Sequence, residues 1–182
     1  MAIEQSYEDD VTGFMARVKG SDSRGNVSSR SDSRGYYNSR DKEQSYSASF
    51  SHPASVAAEY SLYFQNTSTS KEFVLSTIGL NSDLGVNVKL WRVTGTAANG
   101  VTLTPTNENL SSSITADAIC IEDGAGTPIS GLTNANLIDY VKIPVDGVRE
   151  MLLDDRIRLS QNEAIAIEVD AVTSGTPLVF GR

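Results

Sequence analysis

The fold class of this chain is decided by the stretch Val86-Asn87-Val88-Lys89-Leu90-Trp91-Arg92-Val93. Side chains of a β-strand alternate between the two faces of a sheet, so Val86, Val88 and Leu90 fall on one face. The residues between them fall on the other face. This alternation with a period of two predicts a strand that is buried on one side.

Similar apolar runs follow one another from residue 58 to the end of the chain. They are separated by turn signals such as Asn99-Gly100 and Asp146-Gly147, and no long helical pattern interrupts them. Short strands with regular turns are typical of an all-β sandwich or barrel. The number of apolar runs predicts a jelly-roll-like β-sandwich of about eight strands. The runs are Ala58–Phe64, Phe73–Ile78, Val86–Val93, Val101–Thr104, Ile114–Ile121, Leu137–Val145, Met151–Leu159, Glu163–Val169 and Leu178–Phe180.

The N-terminal quarter has a different composition. Residues 20–45 contain no Leu, Ile, Phe, Met or Trp, and residues 21–40 hold a decapeptide repeat of the form Ser-Asp-Ser-Arg-Gly, closing on Ser-Arg. Serine, glycine, aspartate and asparagine favour turns and extended chain, and such a segment has too little apolar area for a core of its own. We therefore predict an extended N-terminal arm over residues 1–46 and a β-sandwich body over residues 47–182.

The start of the arm carries a weaker helical pattern. Between Ile3 and Gly20, apolar side chains recur at spacings of three and four residues, which would place them on one helical face. Acidic residues near the beginning and Lys19 near the end would suit the helix dipole. The pattern predicts a short amphipathic helix, which would need a surface to dock on because so short a helix is marginal alone.

Charge and hydropathy limit the classes of partner. The chain has a formal net charge of −8, and residues 51–182 hold 15 acidic and 8 basic side chains. An acidic body repels phosphate backbones, so we expect no nucleic acid partner. The sequence has no apolar run of about 18 residues or more, so we expect no membrane span.

Few residues are candidates for catalysis or metal binding. His52 is the only histidine and Cys120 the only cysteine, so an ordinary zinc site is not predicted and Cys120 is interpreted as a small buried hydrophobe. No Gly-x-Ser-x-Gly elbow accompanies His52. The acidic pairs Glu122-Asp123 and Asp154-Asp155 would point to opposite faces of a strand. We therefore predict no catalytic residues, no cofactor and no metal ligand, and a metal-assisted hydrolase using the scattered acids stays a minor alternative.

Several segments of the body resemble one known group of proteins. They are Ala58–Asn66, Phe73–Leu75, Val88–Thr96, Asn99-Gly100, Thr104–Asn109 and Asn162–Val169. Their order of strands and turns resembles small tailed-bacteriophage virion proteins that have a jelly-roll body, some of which decorate the capsid shell. The likeness covers roughly residues 55–170 and does not include the arm. It implies a place on the virion, an absence of catalytic residues, and trimers around symmetry axes.

The combined expectation is a capsid decoration or cement protein on the capsid surface. Its partners would be the major capsid protein or other virion proteins, together with further copies of itself in a homotrimer. The arm arginines offer forked donors for carboxylates and carbonyl groups of a partner. The residues predicted to bind partners are Phe14, Met15, Arg24, Arg30, Arg34, Tyr36, Tyr37 and Arg40. The alternative is a tail or head-fibre module that binds a host receptor or glycan.

Overall fold

The computed structural model describes residues 5–8, 15–19, 28–32, 44–52, 58–124, 128–171 and 179–181. Every regular element in these ranges is a β-strand, which confirms the prediction of an all-β protein. The strands are β1 (Gln5–Glu8), β2 (Met15–Lys19), β3 (Ser28–Asp32), β4 (Tyr46–Ser47), β5 (Phe50–His52), β6 (Glu59–Asn66), β7 (Phe73–Ser82), β8 (Val86–Ala98), β9 (Val101–Leu103), β10 (Thr106–Asn107), β11 (Ala118–Glu122), β12 (Ser130–Ile143), β13 (Gly147–Leu159), β14 (Ala164–Ala171) and β15 (Val179–Gly181).

The chain divides into two compact units. The first unit comprises Met1–Ser47 together with Thr106–Thr115, and the second unit comprises Ala48–Pro105 together with Ala116–Arg182. The segment Thr106–Thr115 interrupts the second unit in sequence. The segment lies within residues 47–182, which the sequence predicted to form the β-sandwich body.

The first unit contains a three-stranded antiparallel sheet in the order β1-β2-β3. Gln5 pairs with Val18 across the first two strands, and Met15 pairs with Asp32 across the second and third. The prediction of a short helix is therefore wrong at residues 5–8 and 15–19. A helix of this length is marginal in isolation and Gly13 weakens it further, whereas pairing satisfies the backbone groups of both strands.

A second small element of the first unit joins β4 to β10. Thr106 and Asn107 pair with Ser47 and Tyr46, and the Glu108 amide donates to the Ser45 carbonyl at 2.8 Å. The Tyr46 hydroxyl donates to the Thr115 carbonyl at 3.2 Å. These contacts tie both ends of the Thr106–Thr115 segment to the residues around β4.

The second unit is a β-sandwich made of two antiparallel sheets. The six-stranded sheet has the order β12-β8-β14-β6-β11-β9, and the four-stranded sheet has the order β13-β7-β15-β5. The pairs β6–β14, β7–β13, β8–β12 and β9–β11 are nested in sequence. Three of these pairs, β6–β14, β7–β13 and β8–β12, alternate between the two sheets and make a jelly-roll-like topology, as predicted. The innermost pair, β9–β11, departs from this alternation, because it extends the six-stranded sheet beyond β6.

The core of the second unit lies between the two sheets. Along β8, Val86, Val88 and Leu90 are fully buried, as the alternation predicted. They pack with Ile165 and Ile167 of β14 and with residues of the four-stranded sheet. Residues from that sheet in the same cluster include Phe50, Ile78, Leu80, Met151, Leu153, Leu159 and Val179. Burial of this aliphatic surface is the main force that holds the sandwich together.

Two predicted turns show backbone conformations that suit their residues. Asn99 and Gly100 have φ of 64° and 79° between β8 and β9, and Asp146 has φ of 50° between β12 and β13. Positive φ is tolerated best by glycine and next by asparagine and aspartate. The residues from which these turns were predicted therefore suit the backbone conformations observed there.

Candidate functional site

One polar cluster lies in the second unit where β5, β6 and β11 come together. Phe50 and His52 are the buried residues of the short strand β5, so His52 follows the core residue Phe50 on the same side. Glu59 begins β6, and Asp123 directly follows β11. His52 belongs to the four-stranded sheet, whereas Glu59 belongs to the six-stranded sheet and Asp123 follows a strand of that sheet. The cluster therefore brings together groups from both sheets of the sandwich.

The three side chains are close and largely shielded from solvent. His52 is 0 % exposed and Asp123 is 4 % exposed, while Glu59 is half-buried. The Nδ1 atom of His52 lies 3.1 Å from Oδ2 of Asp123. One nitrogen or oxygen from each of the three residues lies within 4.8 Å of the others. One imidazole and two carboxylates thus converge on a small volume.

The hydrogen bonding of His52 is incomplete. Among the described residues, neither Nδ1 nor Nε2 of His52 has a hydrogen-bond partner with acceptable geometry. The 3.1 Å approach to Asp123 is therefore a close contact without an aligned N–H···O bond. Leaving a buried polar group unsatisfied costs about 1–3 kcal/mol. Most buried polar groups in proteins are hydrogen-bonded, so a buried imidazole without a hydrogen bond needs an explanation.

Backbone contacts fix the segments that carry the cluster. The Asp123 amide donates to the Ser61 carbonyl at 3.0 Å, and the Ser51 amide donates to Oε2 of Glu122 at 2.9 Å. The register of β14 against β6 shifts so that Ile167 faces Leu62 while Glu168 faces Tyr60. Such an irregularity bends a strand and re-aims its side chains. It lies next to Glu59, at the start of β6.

Burial and neighbouring charge shift the acid–base properties of the cluster. Burial raises the pKa of the Asp123 carboxyl to about 6, and the nearby Glu59 and Glu122 carboxylates add to the increase. Burial also lowers the pKa of the His52 imidazole, and Glu59 opposes this in part. Both shifts have the same physical cause, because a low-dielectric environment disfavours the charged form of each group.

The arrangement does not meet the requirements of a serine nucleophile. Ser61 is fully buried, and its hydroxyl has no hydrogen-bond partner among the residues that the structure describes. A catalytic triad needs a hydrogen bond from the nucleophile to the base and another from the base to the orienting carboxylate. Ser61, His52 and Asp123 form neither bond with acceptable geometry. The cluster instead provides one nitrogen atom and two carboxylate oxygen atoms that could act as metal ligands.

Two of the predicted partner-binding residues lie in described strands of the first unit. Met15 begins β2 and lies opposite Asp32, and Arg30 is in β3 opposite Arg17. The structure thus puts Met15 and Arg30 on neighbouring strands of one sheet. The other predicted residues lie outside the described residues, namely Phe14, Arg24, Arg34, Tyr36, Tyr37 and Arg40.

Sequence reasoning missed the His52 cluster. It interpreted His52 as incidental because no second histidine or cysteine accompanies it, and it interpreted Glu122 and Asp123 as adjacent strand residues. The available signal was a lone histidine beside a proline where the β-rich region begins. Cys120, by contrast, is 1 % exposed, and its burial raises the pKa of the thiol to about 12, which confirms its interpretation as a small buried hydrophobe.

Comparison with known proteins gives no assignment. No family model, curated protein or solved structure matches the chain. Within the described ranges, no helix is long and apolar enough to cross a membrane.

Proposed function

We propose that this chain is a non-enzymatic structural protein of a tailed-phage virion, of the capsid decoration or cement type. The nested strand pairs of the second unit support the proposal, because a jelly-roll body is the fold expected from the resemblance in residues 55–170. The division into two units also supports it. A decoration protein needs one part that forms a stable body and another that contacts the shell.

The observation that carries the proposal is an apolar side chain held out to solvent in the first unit. Leu110 is 86 % exposed, the largest exposure among the large hydrophobic residues described. It lies in the Thr106–Thr115 segment, which belongs to the same unit as the arm strands. Ile114 of the same segment is also exposed (44 %), and exposed apolar patches mark contact sites for other proteins. We therefore assign Leu110 to the contact with the capsid.

The loop around Leu110 is fixed by side-chain hydrogen bonds. Oδ1 of Asn107 accepts from the Asn109 amide at 2.9 Å, and Oδ1 of Asn109 accepts from the Ser111 amide at 3.2 Å. The Ser112 hydroxyl accepts from the Ile114 amide at 3.0 Å. These bonds shape consecutive turns on both sides of Leu110. A loop held in this way loses little conformational entropy on binding, which favours affinity.

The arginines of the arm supply the polar part of the proposed contact. Arg24, Arg30, Arg34 and Arg40 recur through the decapeptide repeat, and Tyr36 and Tyr37 lie among them. Guanidinium groups bind carboxylates through two parallel hydrogen bonds. Contacts made only with the assembled shell would stabilise that shell by mass action.

Self-association is part of the same proposal. The strands β12 and β13 are the terminal strands of their two sheets and are joined through residues 144–146. Exposed edge strands are ready to pair or pack with another chain. Large apolar side chains are exposed along this flank, namely Leu137, Ile138, Tyr140, Val145, Val148 and Leu152. We assign this flank to the contact between copies in a homotrimer.

Co-sedimentation with capsids tests the attachment. The full chain is mixed with particles assembled from the major capsid protein of the same phage genome, and bound protein is measured after pelleting. Leu110→Ser should reduce binding at least tenfold. Val101→Ser is the matched control, because Val101 is an exposed apolar residue (47 %) of the second unit. Wild-type protein that stays in the supernatant, or two variants that bind equally well, would contradict the proposal.

A charge-matched pair of variants tests the arginines. Replacing Arg24, Arg30, Arg34 and Arg40 with Gln should weaken attachment, because charge-assisted hydrogen bonds contribute about 1.5–3 kcal/mol each when buried. The control removes the same charge from the second unit, with Arg92, Arg149, Arg156 and Arg158 changed to Gln. Equal attachment of both variants at moderate salt would remove the arm arginines from the mechanism.

A second candidate function is receptor or glycan binding by the second unit. Tyr60 and Trp91 are partly buried on the six-stranded sheet. The Tyr60 hydroxyl donates to Oδ1 of Asn134 at 2.8 Å, and Nδ2 of Asn134 donates to Oε2 of Glu168 at 3.2 Å. Aromatic faces beside hydrogen-bonding groups suit a sugar ring. A glycan-array signal lost in Trp91→Ala would favour this function over decoration.

A further inference from the structure

The His52 cluster differs from the rest of the sandwich interior in the kind of group it buries. Between the sheets, the neighbouring core is made of aliphatic side chains such as Val86, Leu90 and Ile167. At the β5 end, the same interior holds an imidazole that is 0 % exposed and a carboxylate that is 4 % exposed. Buried ionisable groups are rare unless they are paired with each other or coordinate a metal.

We propose that His52, Glu59 and Asp123 form a binding site for one divalent transition-metal ion. The inference stands apart from the proposed virion function and does not depend on it. Three observations carry it together: donor atoms from three residues converge within 4.8 Å, His52 and Asp123 are almost fully buried, and neither ring nitrogen of His52 has an aligned partner among the described residues.

The separation of the ligand atoms is compatible with a shared metal ion, and the missing alignment argues against a direct hydrogen bond. Two ligands at about 2.0–2.1 Å from a tetrahedral zinc ion lie about 3.3 Å apart. Nδ1 of His52 and Oδ2 of Asp123 lie 3.1 Å apart without hydrogen-bond alignment, close to that separation. The three ligand atoms lie within 4.8 Å of one another, so metal binding would bring the more distant of them closer together.

The donor set selects the kind of ion. Imidazole nitrogen suits zinc, iron, nickel and copper, whereas carboxylate oxygen also suits manganese, calcium and magnesium. Calcium takes six to eight oxygen ligands, and magnesium keeps several waters, so a buried site with one nitrogen and two oxygens fits neither. Zinc accepts three protein ligands of this type and a water in the fourth position. Zinc is therefore the preferred ion, and manganese is the second.

The surrounding contacts would hold the ligands in place. The Ser61 carbonyl anchors the Asp123 amide, and the Glu122 carboxylate binds the Ser51 amide, one residue before His52. Outer contacts of this kind orient metal ligands and raise affinity. A cation would also offset the negative charge that Glu59, Glu122 and Asp123 concentrate there. Because His52 lies in one sheet and the carboxylates in the other, the ion would cross-link the two sheets.

A direct test uses the single histidine of the chain. In the full-length protein, with any affinity tag removed and metal stripped by a chelator, the imidazole ¹⁵N spectrum reports His52 alone. Adding one equivalent of Zn²⁺ should move one ring-nitrogen resonance to the range of a metal-bound nitrogen, with saturation at one ion per chain. An unchanged His52 spectrum at 100 μM protein and two equivalents of Zn²⁺ would overturn the proposal.

Variants assign the carboxylates and separate binding from folding. Asp123→Asn should weaken Zn²⁺ binding at least tenfold, whereas Asp170→Asn in β14 is the matched control and should bind as wild type does. If Asp123→Asn fails to fold, Glu59→Gln replaces it, because Glu59 is half-buried and its amide keeps the shape. Retention of wild-type affinity in the carboxylate variant would exclude that residue as a ligand and overturn the three-ligand site.

Thermal unfolding gives an independent measurement. At a free Zn²⁺ concentration of 100 times Kd, the melting temperature of the wild type should rise by about 5–10 °C, and the same concentration of Mg²⁺ should have no effect. The Asp170→Asn protein should show the same rise. An equal rise with Mg²⁺, or an equal rise in the ligand variants, would point to general ion binding and contradict the assigned site.

Discussion

Alternate residues of the same strands form the two faces of the six-stranded sheet, yet the two faces carry different kinds of side chain. On the inner face, Leu90, Ile165 and Ile167 are at most 2 % exposed and pack against the four-stranded sheet. On the outer face of the same strands, Lys89 and Glu168 form an ion pair. Along β8 and β14 the inner face is thus aliphatic, whereas the outer face is mixed. The difference shows that the alternation of side chains decides which residues lie on each face but not whether the outer face is polar throughout.

Part of the outer face is apolar because the long strand pair β8–β12 adds residues to it. Tyr63, Val93 and Ala166 form a second buried cluster with Ile129, and Ala97 and Leu132 pack against it. The strand pair β8–β12 contains two glycines at positive φ, Gly95 and Gly131. Its pairing is also irregular between Ser130 and Leu132. Bends of this kind let the end of a long strand pair cover a face that would otherwise be exposed.

The largest effect is expected on the inner face. Ile167→Ala should lower the free energy of unfolding by about 3–5 kcal/mol, because Ile167 is 0 % exposed and its removal leaves a cavity in the core. Urea unfolding followed by the emission of the single tryptophan, Trp91, measures this loss. Ile119→Ala is the control at a 41 % exposed position of β11 and should cost less than about 1 kcal/mol. Similar losses in both variants would contradict the distinction between the faces.

A smaller loss should follow when a polar link between the two sheets is removed. Nδ2 of the buried Asn66 donates to the carbonyls of Lys71 and Leu159, both at 2.8 Å, and Oδ1 accepts from the Ser68 amide at 2.8 Å. Asn66→Ala leaves these groups without their side-chain partner and should cost about 2–4 kcal/mol.

The control for Asn66 is its neighbour on β6. Nε2 of Gln65 makes one exposed hydrogen bond to the Asn162 carbonyl, so Gln65→Ala should cost less than about 1 kcal/mol in the same urea experiment. A loss below 1 kcal/mol for Asn66→Ala would mean that the aliphatic core alone joins this end of the sheets.

Local sequence was sufficient to predict the inner face. The alternation of Val86, Val88 and Leu90 is visible without any partner strand, because the direction of each side chain follows from its position in the strand. The start of β12 was not predictable in this way. Residues 130–136 carry no alternation, and they become a strand because β8 offers a pairing partner from Arg92 to Ala98. Pairing likewise overrides the helical spacing near Met15.

The His52 cluster could not be predicted because it depends on contacts between distant residues. His52 and Asp123 are 71 positions apart in the sequence, and they meet only after β5 and β11 have joined different sheets. A single sequence gives the strands but not their order within a sheet. The single histidine and single cysteine excluded only metal sites that need several of these residues. A site with one histidine and two carboxylates is not excluded by composition.

A third prediction tests the bend that covers the outer face. Gly95 has φ of 97°, and a Cβ atom there would clash with the Gly131 carbonyl oxygen. Gly95→Ala should therefore cost about 1–3 kcal/mol and shift the Trp91 emission to longer wavelength as water reaches the outer cluster. Gly85→Ala is the control, because its Cβ would meet no atom closer than 3.9 Å. An unchanged emission in Gly95→Ala would show that the bend does not shield Trp91.

The smallest effect is expected for the ion pair on the outer face. Nζ of Lys89 lies 2.7 Å from Oε1 of Glu168, and the side chains are 26 % and 13 % exposed. A double-mutant cycle with Lys89→Met and Glu168→Gln should give a coupling of about 0.5–1 kcal/mol, since partial exposure screens the pair. The comparison pair is Arg158 and Glu72, at 3.6 Å with both side chains about half exposed, whose coupling should be close to zero.

The pH dependence of that coupling follows from the pKa of Lys89. The hydrogen bond to Glu168 raises the pKa of the Lys89 ammonium, and burial opposes the increase. A group whose pKa is raised by folding stabilises the fold below its unfolded pKa and loses that contribution as the pH rises through its folded pKa. The coupling should therefore be complete at pH 7 and should decline only above about pH 10, near the ordinary pKa of lysine. A decline already between pH 7 and 9 would contradict the assignment of the coupling to Lys89, because the ammonium stays charged throughout that range.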